Sequence, residues 1–262
     1  MSAILLFKEP DERYEAALQA TISTQVQFVP LLRIVALDAG AELARPCDAL
    51  MFTSLRALEV FRDALRSTTM ALEQTTVYAL GERQCEFVRQ LPVRVRCVYG
   101  DECGNADELV NKLLQQQQQQ QQQQAASPDG GAEPLRVHFL CGEKRMPTIE
   151  RALAADTRFR LHVTPLYETV PVASVPLSES LLHSSKWLVF FSPSGVDIVA
   201  NSSADNVETI RRRCADAQLF IACIGETTAA AARATLAVVV SAVAAKPTPE
   251  ALAAAMKLHT SV

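Results

Sequence analysis

The chain of 262 residues is poor in glycine, with only 9, and it lacks the glycine-rich motifs that bind nucleotide phosphates. Neither G-x-G-x-x-G nor G-x-x-x-x-G-K-[ST] occurs, so a dinucleotide-binding or P-loop role is disfavoured. A G-x-S-x-G motif, which presents the nucleophile of α/β-hydrolases, is missing as well. We therefore expect a protein that works without a cofactor.

Motifs that bind metal ions are also missing. The 7 cysteines are scattered and odd in number, and no pair of them has the C-x-x-C spacing of zinc or redox sites. The 4 histidines show neither H-x-x-x-H nor H-x-x-E-H spacing. We expect reduced, mostly buried thiols and no metal centre.

The excess of positive charge that nucleic-acid binding requires is absent, because the formal net charge is −4. No apolar run approaches the roughly 20 residues that span a membrane. The segment AILLFK (3–8) is typical of a buried strand and not of a targeting leader. We expect a cytosolic protein that binds neither nucleic acid nor membrane, and any attraction for an anion must be local.

Short β-rich apolar runs alternate with helical patterns along a chain that is 49% hydrophobic and 21% charged, which is typical of a globular protein. The predicted strands are 3–8, 25–32, 47–53, 75–80, 94–99, 136–141, 160–164, 187–192, 219–224 and 237–241. The predicted helices include 11–21, 55–66, 83–90, 147–155, 207–216, 227–235 and 249–257. This alternation predicts an α/β fold in which helices flank parallel sheets.

Three pairs of segments form an internal repeat. In the first pair both segments have Phe-x-Ser before a predicted helix, and in the second pair both have Gly-Glu there. In the third pair an Asn or a Thr residue precedes the helix as its cap. The pairs are FTSLRALEVF (52–61) with FFSPSGVDIV (190–199), YALGERQCEFV (78–88) with ACIGETTAAAA (222–232), and CGNADELVNKL (103–113) with KPTPEALAAAM (246–256). Because the motifs follow in the same order at similar intervals, they indicate two copies of one α/β domain.

Two extended segments that contain prolines, 28–37 and 163–174, guide the division into domains. Tandem domains fit the repeat, but these segments are typical of antiparallel connectors between lobes, so we favour one domain inserted in the other. Lobe 1 then comprises 1–30 plus 172–262, and lobe 2 comprises 38–165.

A low-complexity insertion at 115–132 consists of ten consecutive glutamines followed by AASPDGGA. Because the tract has no apolar face, we predict a disordered surface segment. The alternative is that the helix predicted from 106 to 114 continues into the glutamines, since Gln is a fair helix former.

Turns rich in Ser, Thr and Gly follow several predicted strands. In parallel sheets such turns lie at the carboxyl edge, where ligands bind. Together with N–H groups of the first helical turns, their hydroxyls suit carboxylates or phosphates. The hydroxyls belong to Ser54, Ser192, Ser194, Thr227 and Thr228. For each of them the alternative is an N-cap that only stabilises its helix, by roughly 1 kcal/mol.

Six segments occur in an order that is typical of one family. They are FTSLRALE (52–59), CGNADEL (103–109), PLYETVPV (165–172), FFSPSG (190–195), IGETTAAAA (224–232) and PTPEAL (247–252). Together they resemble the uroporphyrinogen-III synthases of the eukaryotic type (HemD family) over nearly the whole chain except the glutamines. The resemblance implies two similar, flavodoxin-like lobes joined by a two-stranded β ladder, with the active site in the cleft.

The resemblance also implies the reaction. The substrate would be hydroxymethylbilane, a linear tetrapyrrole with eight carboxylates, which loses water and closes through a spiro intermediate with ring D inverted. The enzyme would be a cyclising hydro-lyase of haem biosynthesis that folds its substrate and steers closure, because closure in water gives the uninverted isomer. Such work needs a shaped cleft and many amide donors.

The residue roles that the resemblance implies fall into two groups. The catalytic residues would be Tyr167, as a donor to the departing hydroxyl, and Thr228. The substrate-binding residues would be Ser54, Arg56, Gly81, Gln84, Gly142, Lys144, Arg145, Ser192, Ser194, Gly195, Gly225 and Thr227. The chain departs from the family pattern at Leu55, where proline is usual, at Gln84, where threonine is usual, and at Phe220, where a basic residue is common.

Two other interpretations remain open on sequence alone. A two-lobe protein that closes on a small anion without chemistry would show similar lobes and hinges. A homologue that has lost catalysis and serves as a scaffold is the other. We expect a monomer that makes at most transient contact with hydroxymethylbilane synthase.

Overall fold

The computed structural model describes residues 3–22, 24–67, 70–124 and 133–260, with the exception of the side chains of 120–124 and 260. The chain divides into two compact units. Unit 1 comprises Met1–Arg33 with Val170–Val262, and unit 2 comprises Ile34–Thr169.

Strands and helices alternate along the chain. The strands are β1 (Ala3–Phe7), β2 (Gln25–Phe28), β3 (Leu32–Ala36), β4 (Ala49–Phe52), β5 (Thr76–Ala79), β6 (Cys97–Tyr99), β7 (Leu135–Gly142), β8 (Phe159–Pro171), β9 (Ser185–Phe190), β10 (Phe220–Cys223) and β11 (Ala242–Val243). The helices are α1 (Glu12–Ile22), α2 (Gly40–Leu43), α3 (Leu55–Ala64), α4 (Glu82–Arg89), α5 (Ala106–Gln124), α6 (Thr148–Leu153), α7 (Glu179–Ser184), α8 (Pro193–Ala200), α9 (Ala204–Ala215), α10 (Glu226–Ala231) and α11 (Pro249–Thr260).

Each unit contains one sheet. The sheet of unit 1 has the strand order β11-β10-β9-β1-β2, with parallel pairing between its neighbours. The second sheet has the order β3-β8-β7-β4-β5-β6, and its pairs from β8 to β6 are parallel. The predicted α/β class with parallel sheets is therefore confirmed.

Strand β1 shows why these sheets carry helices on both faces. Alternate side chains of a strand point to opposite faces. Ile4 and Leu6 enter an apolar cluster with α1 and α11, whereas Leu5 and Phe7 enter a cluster with α8, α9 and α10. Since both faces of the strand are buried, its sequence is a continuous apolar run, as parallel strands generally are.

The sheet of unit 2 is covered in the same way. Leu50 and Phe52 of β4 pack with α3 and α4, and Met51 packs on the other face with α5 and α6. Each helix buries only one stripe, which explains the i, i+3, i+4 spacing of its apolar residues. The helices thereby fix the turns that follow the strands.

Strands β3 and β8 are neighbours in the sheet. The chain leaves unit 1 for unit 2 within β3, and it returns to unit 1 within β8. The amide of Leu37 donates to the carbonyl of Leu166, and the amide of Val172 donates to that of Leu31. Residue numbers rise on one strand as they fall on the other, as in an antiparallel ladder. The connectors predicted at 28–37 and 163–174 include these residues.

The predictions for 227–235 and 237–241 were partly wrong. Helix α10 ends at Ala231, and a π-helical turn, Ala232–Leu236, follows it. Ala237 then takes a left-handed conformation with φ of 56°, which ends the helical segment. The apolar run after it is not a strand, and the ladder begins only at Ala242. Residues 237–241 were predicted to be a strand because their apolar side chains form the continuous run that is typical of a buried strand.

The glutamine tract differs from the disorder that we predicted. Helix α5 continues through Gln124, which is the helical alternative. Leu109 and Leu113 are fully buried and anchor the first turns, so the glutamines extend a helix whose costly nucleus already exists. The rest of the predicted insertion, 125–132, lies outside the described residues.

Candidate functional site

The carboxyl edge of the unit 2 sheet brings together several turns that sequence reasoning singled out. Strands β4, β5 and β7 are parallel and end at this edge, and they lead into Ser54, Gly81 and Gly142 respectively. In parallel α/β sheets this edge is where ligands bind. Tyr167 on β8 joins the same edge because it lies opposite Gly142.

Ser54 and Tyr167 are hydrogen-bonded to each other. Ser54 is the N-cap residue of α3 with an extended backbone, yet its side chain makes no capping hydrogen bond. Its Oγ instead lies 2.9 Å from the phenolic oxygen of Tyr167, and either oxygen could be the donor. The capping alternative therefore fails for Ser54, whose hydroxyl holds the phenol.

Gly142 makes room for the ring of Tyr167. A Cβ atom at this position would lie 2.8 Å from Cζ and 2.9 Å from the phenolic oxygen of Tyr167, which is closer than carbon atoms pack. The backbone fixes the same side chain, since the amide of Glu143 donates to the carbonyl of Tyr167 over 2.9 Å. Between Cys141 and Gly142 the β7–β8 register shifts, and this shift places Tyr167 opposite the glycine.

The turn at Gly81 is held by backbone geometry. Gly81 has φ of +82°, a conformation that glycine adopts at low cost, and its amide donates to the carbonyl of Gly100 over 2.9 Å. Gln84 lies in the first turn of α4, and its Oε1 atom is buried without a hydrogen-bond partner among the described residues.

The charged residues of the predicted site differ in how free they are. The guanidinium of Arg56 pairs with Glu59 at 3.1 Å, and that of Arg145 pairs with Glu150 at 2.7 Å. Arg145 also donates to the carbonyl of Glu143 at 3.2 Å. Lys144 is exposed and makes no hydrogen bond or ion pair with any described residue. Of the three cations, Lys144 is therefore the one that can meet an anion without first breaking an ion pair.

At the carboxyl edge of the unit 1 sheet, the serines after β9 serve the helix that follows. Ser192 caps α8 by accepting from the amide of Gly195 over 3.1 Å. The hydroxyl of Ser194 lies 3.1 Å from that of Ser192. Ser192 thus caps its helix as an acceptor, and its own O–H proton remains able to donate, while Ser194 adds a further hydroxyl to the turn.

The turn after β10 lies at the same edge. Gly225 precedes α10 without a side-chain cap, and a Cβ added there would meet no atom within 4 Å. Thr227 is exposed and Thr228 is buried, and neither hydroxyl bonds to another described residue. The space beside Gly225 and the uncapped first turn of α10 suit an anion that approaches the backbone.

Lys8 follows β1 at this edge and is not among the residues that the motifs predicted. Its ammonium group lies 2.8 Å from a carboxylate oxygen of Asp11 and 4.0 Å from the ring centroid of Tyr14. Lys8 lines a cavity of about 190 Å³ together with Phe191 and Ser192. The signal in the sequence was a charged residue directly after a buried strand.

The described residues contain no group of three His, Cys, Asp or Glu side chains that could hold a metal ion. Nor does any helix in the described ranges have the length and apolarity needed to cross a membrane. All seven cysteines are free, and burial raises the pKa of Cys141 to about 11 and that of Cys223 to about 12. These two thiols are neutral near pH 7 and are poor nucleophiles.

The match to a family model agrees with the resemblance found in the motifs. A family model described as uroporphyrinogen-III synthase HemD matches residues 12–254. The solved uroporphyrinogen-III synthetase of Helicobacter pylori 26695 is similar at 17% identity and a TM-score of 0.48, covering 100% of this chain and 99% of that one. The wild-type uroporphyrinogen III synthase of the extremely thermophilic bacterium Thermus thermophilus is similar at 16% identity and a TM-score of 0.43, covering 100% of this chain and 98% of that one. No curated protein sequence matches the chain.

Proposed function

The chain belongs to the uroporphyrinogen-III synthase HemD family, and on that premise we propose how its residues close hydroxymethylbilane to uroporphyrinogen III with inversion of ring D. One observation carries the proposal. The hydroxyl of Tyr167, held at 2.9 Å by Ser54, stands at the carboxyl edge of a parallel sheet, where such folds bind their ligands.

The first step is the loss of water from the hydroxymethyl end of the substrate. The C–O bond breaks as the pyrrole nitrogen supplies the electron pair and Tyr167 donates a hydrogen bond to the departing oxygen. The N–H proton of that pyrrole is released as the azafulvene forms, and it completes the water that leaves. A phenol can donate in this way near neutral pH without ionising. Ser54 aims the phenol, and Gly142 lets its ring approach. The product of this step is an electrophilic azafulvene.

The later steps exchange carbon–carbon bonds. The substituted carbon of ring D attacks the azafulvene carbon and forms the spiro intermediate. The bond that joined ring D to its neighbour then breaks and re-forms at the other α-carbon of ring D. Loss of a proton from that carbon restores the pyrrole, so only water leaves overall. The protein has to hold the folded chain and stabilise its positive charge.

The carboxylates of the substrate need donors that stay in place while the rings move. We assign this work to the turns at the carboxyl edges of the two sheets. In unit 2 the donors are the side-chain amide of Gln84, Lys144 and, once their ion pairs open, Arg56 and Arg145, while Gly81 shapes the turn that carries Gln84. In unit 1 they are Ser192, Ser194, Gly225 and Thr227, with Gly195 holding Ser192 in place through its amide. Thr228, on the same turn as Thr227, is proposed as the second catalytic residue. Amides of the first helical turns suit carboxylates because they carry partial positive charge.

The finer features of the enzyme follow from this assignment. We propose a cyclising hydro-lyase that acts as a cytosolic monomer and takes its substrate from hydroxymethylbilane synthase in at most transient contacts. We also propose that its lobes are 1–30 plus 172–262 and the inserted 38–165. Light scattering of the purified chain tests the monomer, since a mass of twice 28.6 kDa would contradict it.

The test of the proposed function is the isomer that the protein forms. Freshly made hydroxymethylbilane is supplied, the products are oxidised, and isomers I and III are separated by chromatography. We expect isomer III from the native chain. Isomer I alone, at the uncatalysed rate, would contradict a synthase and leave an anion-binding protein or a scaffold.

The same assay tests the role of Tyr167. We expect Tyr167→Phe to lower kcat at least about tenfold with little change in KM, because the hydrogen bond to the departing oxygen strengthens as charge develops there in the transition state. Ser54→Ala should have a smaller effect of the same kind, and the double variant should lose less than the two effects combined. Tyr78→Phe is the control, since Tyr78 is buried and its hydroxyl bonds to no described residue. Unchanged kcat in a folded Tyr167→Phe protein would remove the phenol from the mechanism.

A further inference from the structure

Strands β7 and β8 contain the same short motif, Arg-x-His, in register with each other. RVH (136–138) follows Leu135, the first residue of β7, and RLH (160–162) follows Phe159, the first residue of β8. The parallel register places Arg136 beside Arg160 and His138 beside His162. Residues two apart on a strand share a face, so the four side chains lie on one face near the amino ends of the strands.

Two neighbouring arginines on one face repel each other unless anions lie close by. Arg136 has such an anion, because Asp48 accepts two hydrogen bonds from its guanidinium, at 2.7 and 3.0 Å. Arg160 is exposed and has no acidic partner among the described residues. One positive charge of the pair is therefore left for an anion from outside the chain.

His138 adds a buried polar atom without a partner. Its side chain is 1% exposed, its Nε2 lies 2.8 Å from the hydroxyl oxygen of Thr164, and its Nδ1 has no hydrogen-bond partner among the described residues. Burial is the main cause that lowers the pKa of His138, to about 4, so the ring is neutral near pH 7.

The tautomer of that ring is linked to the hydrogen bond between its Nε2 and the hydroxyl of Thr164. Thr164 is buried, and His138 is the only described residue to which its hydroxyl bonds. If the hydroxyl donates to Nε2, its own proton is satisfied and the proton of the ring sits on Nδ1. The ring then offers a buried N–H donor that lacks an acceptor, which is costly unless a ligand supplies one.

A cavity of about 320 Å³ lies against these side chains. It is lined by His138, His162, Arg136 and Arg160, and by Arg45 and Cys47 of the segment before β4. Glu42 is already engaged, at 2.7 Å from Arg45 and 2.6 Å from Nε2 of His162. The volume reaches the lower limit for small-molecule sites, about 300 Å³.

We propose that this cavity is a second ligand site, which binds the carboxylate or phosphate group of a small molecule between the Nδ1–H of His138 and the guanidinium of Arg160. It is distinct from the Ser54–Tyr167 pair, because Gly142 lies six positions after Arg136 on β7, about 20 Å along the strand. The body of the ligand lies against Cys47 and the aliphatic stems of the arginines.

The probes are inorganic phosphate and succinate, titrated separately into the full chain with ¹⁵N-labelled histidine. We expect a saturable shift of the His138 Nδ1 resonance with at least one of them. Arg160→Gln should weaken that binding at least about tenfold, since it removes the free positive charge. Arg151→Gln is the matched control, because Arg151 is exposed and its side chain bonds to no described residue; it should bind like the native chain.

The two anions distinguish the sources of the ligand group. Binding of phosphate alone indicates a phosphorylated ligand, and binding of succinate alone indicates a carboxylic acid. The proposal is overturned if neither anion shifts His138 up to about 20 mM, or if Arg160→Gln binds as tightly as the native chain. Synthesis of isomer III should be unchanged in Arg160→Gln, which separates this site from the proposed synthase.

Discussion

At the scale of single residues, two serines in matching positions of the repeat do different work. Ser192 caps its helix in the usual way, accepting from the amide three residues on. Ser54 occupies the same cap position, but its hydroxyl bonds to Tyr167. The sequence motif Phe-x-Ser could not separate these roles, because the partner of Ser54 lies 113 residues away in the chain.

Gly142→Ala tests the fit between the glycine and the tyrosine. The added Cβ would lie 2.8 Å from Cζ of Tyr167, and the ring, as the end of a side chain, should move aside. We expect kcat to fall at least about tenfold, with a loss of stability of about 1–3 kcal/mol as in other overpacked sites.

The control for this variant is Gly40→Ala in the same unit. Its Cβ would meet only an oxygen of Asp38 at 3.6 Å, an ordinary contact. Urea unfolding and the isomer assay give both quantities for each variant. If Gly142→Ala retains full kcat, the close approach of Tyr167 to residue 142 has no part in the reaction.

At the scale of elements, α5 shows how a helix can extend into a sequence with no apolar face. Asn105 accepts from the amide of Glu108 at 3.0 Å, and the carboxylate of Glu108 accepts in return from the amide of Gly104 at 2.7 Å. These contacts satisfy donors that the first turn leaves open. With Leu109 and Leu113 buried, the helix is nucleated before the glutamines begin.

Deletion of residues 115–124 should therefore leave the enzyme working. We expect kcat within about twofold of the native value, because the anchoring contacts precede the deletion, while helical circular dichroism decreases. Asn105→Ala should have the opposite effect: it keeps all ten glutamines but removes the N-cap of α5, which should lower the free energy of unfolding by roughly 1 kcal/mol. A large loss of kcat on deletion would show that the glutamines serve the site.

At the scale of the whole molecule, stability should depend on pH through His138. Burial, with help from His162, lowers the pKa of its ring in the folded chain to about 4, whereas the ordinary value is 6.5; Glu42 opposes this shift and Arg45 supports it. Between those values the unfolded chain binds a proton that the folded chain does not. Stability is therefore lost as the pH falls from the ordinary value toward the lowered one.

The expected loss between roughly pH 7 and pH 5 is on the order of 2 kcal/mol, at 1.4 kcal/mol per pH unit. Urea unfolding at both values measures it, and His138→Gln should flatten the dependence even if it lowers stability throughout. The carboxylate of Asp48, whose pKa is lowered by Arg136, loses its contribution only at lower pH. An equal pH dependence in His138→Gln would assign it to other groups.

Short-range patterns in the sequence determined the class of the fold and its repeat. Buried parallel strands need continuous apolar runs, and helices on a sheet need one apolar stripe, so both leave marks within about ten residues. They also predicted the turns that meet at the carboxyl edges, and the motif order led to the family. The same patterns failed at 237–241, because a left-handed Ala237 leaves no mark in the apolar pattern.

Only the tertiary structure decided which side chains meet. The bond between Ser54 and Tyr167, the space at Gly142 and the partners of Arg56 and Arg145 depend on strand register and on helix faces. Hydrogen bonds and ion pairs act over a few ångströms, while the residues that form them can be far apart in the chain. The sequence names the candidates at each turn, and the register of neighbouring strands determines which of them come together.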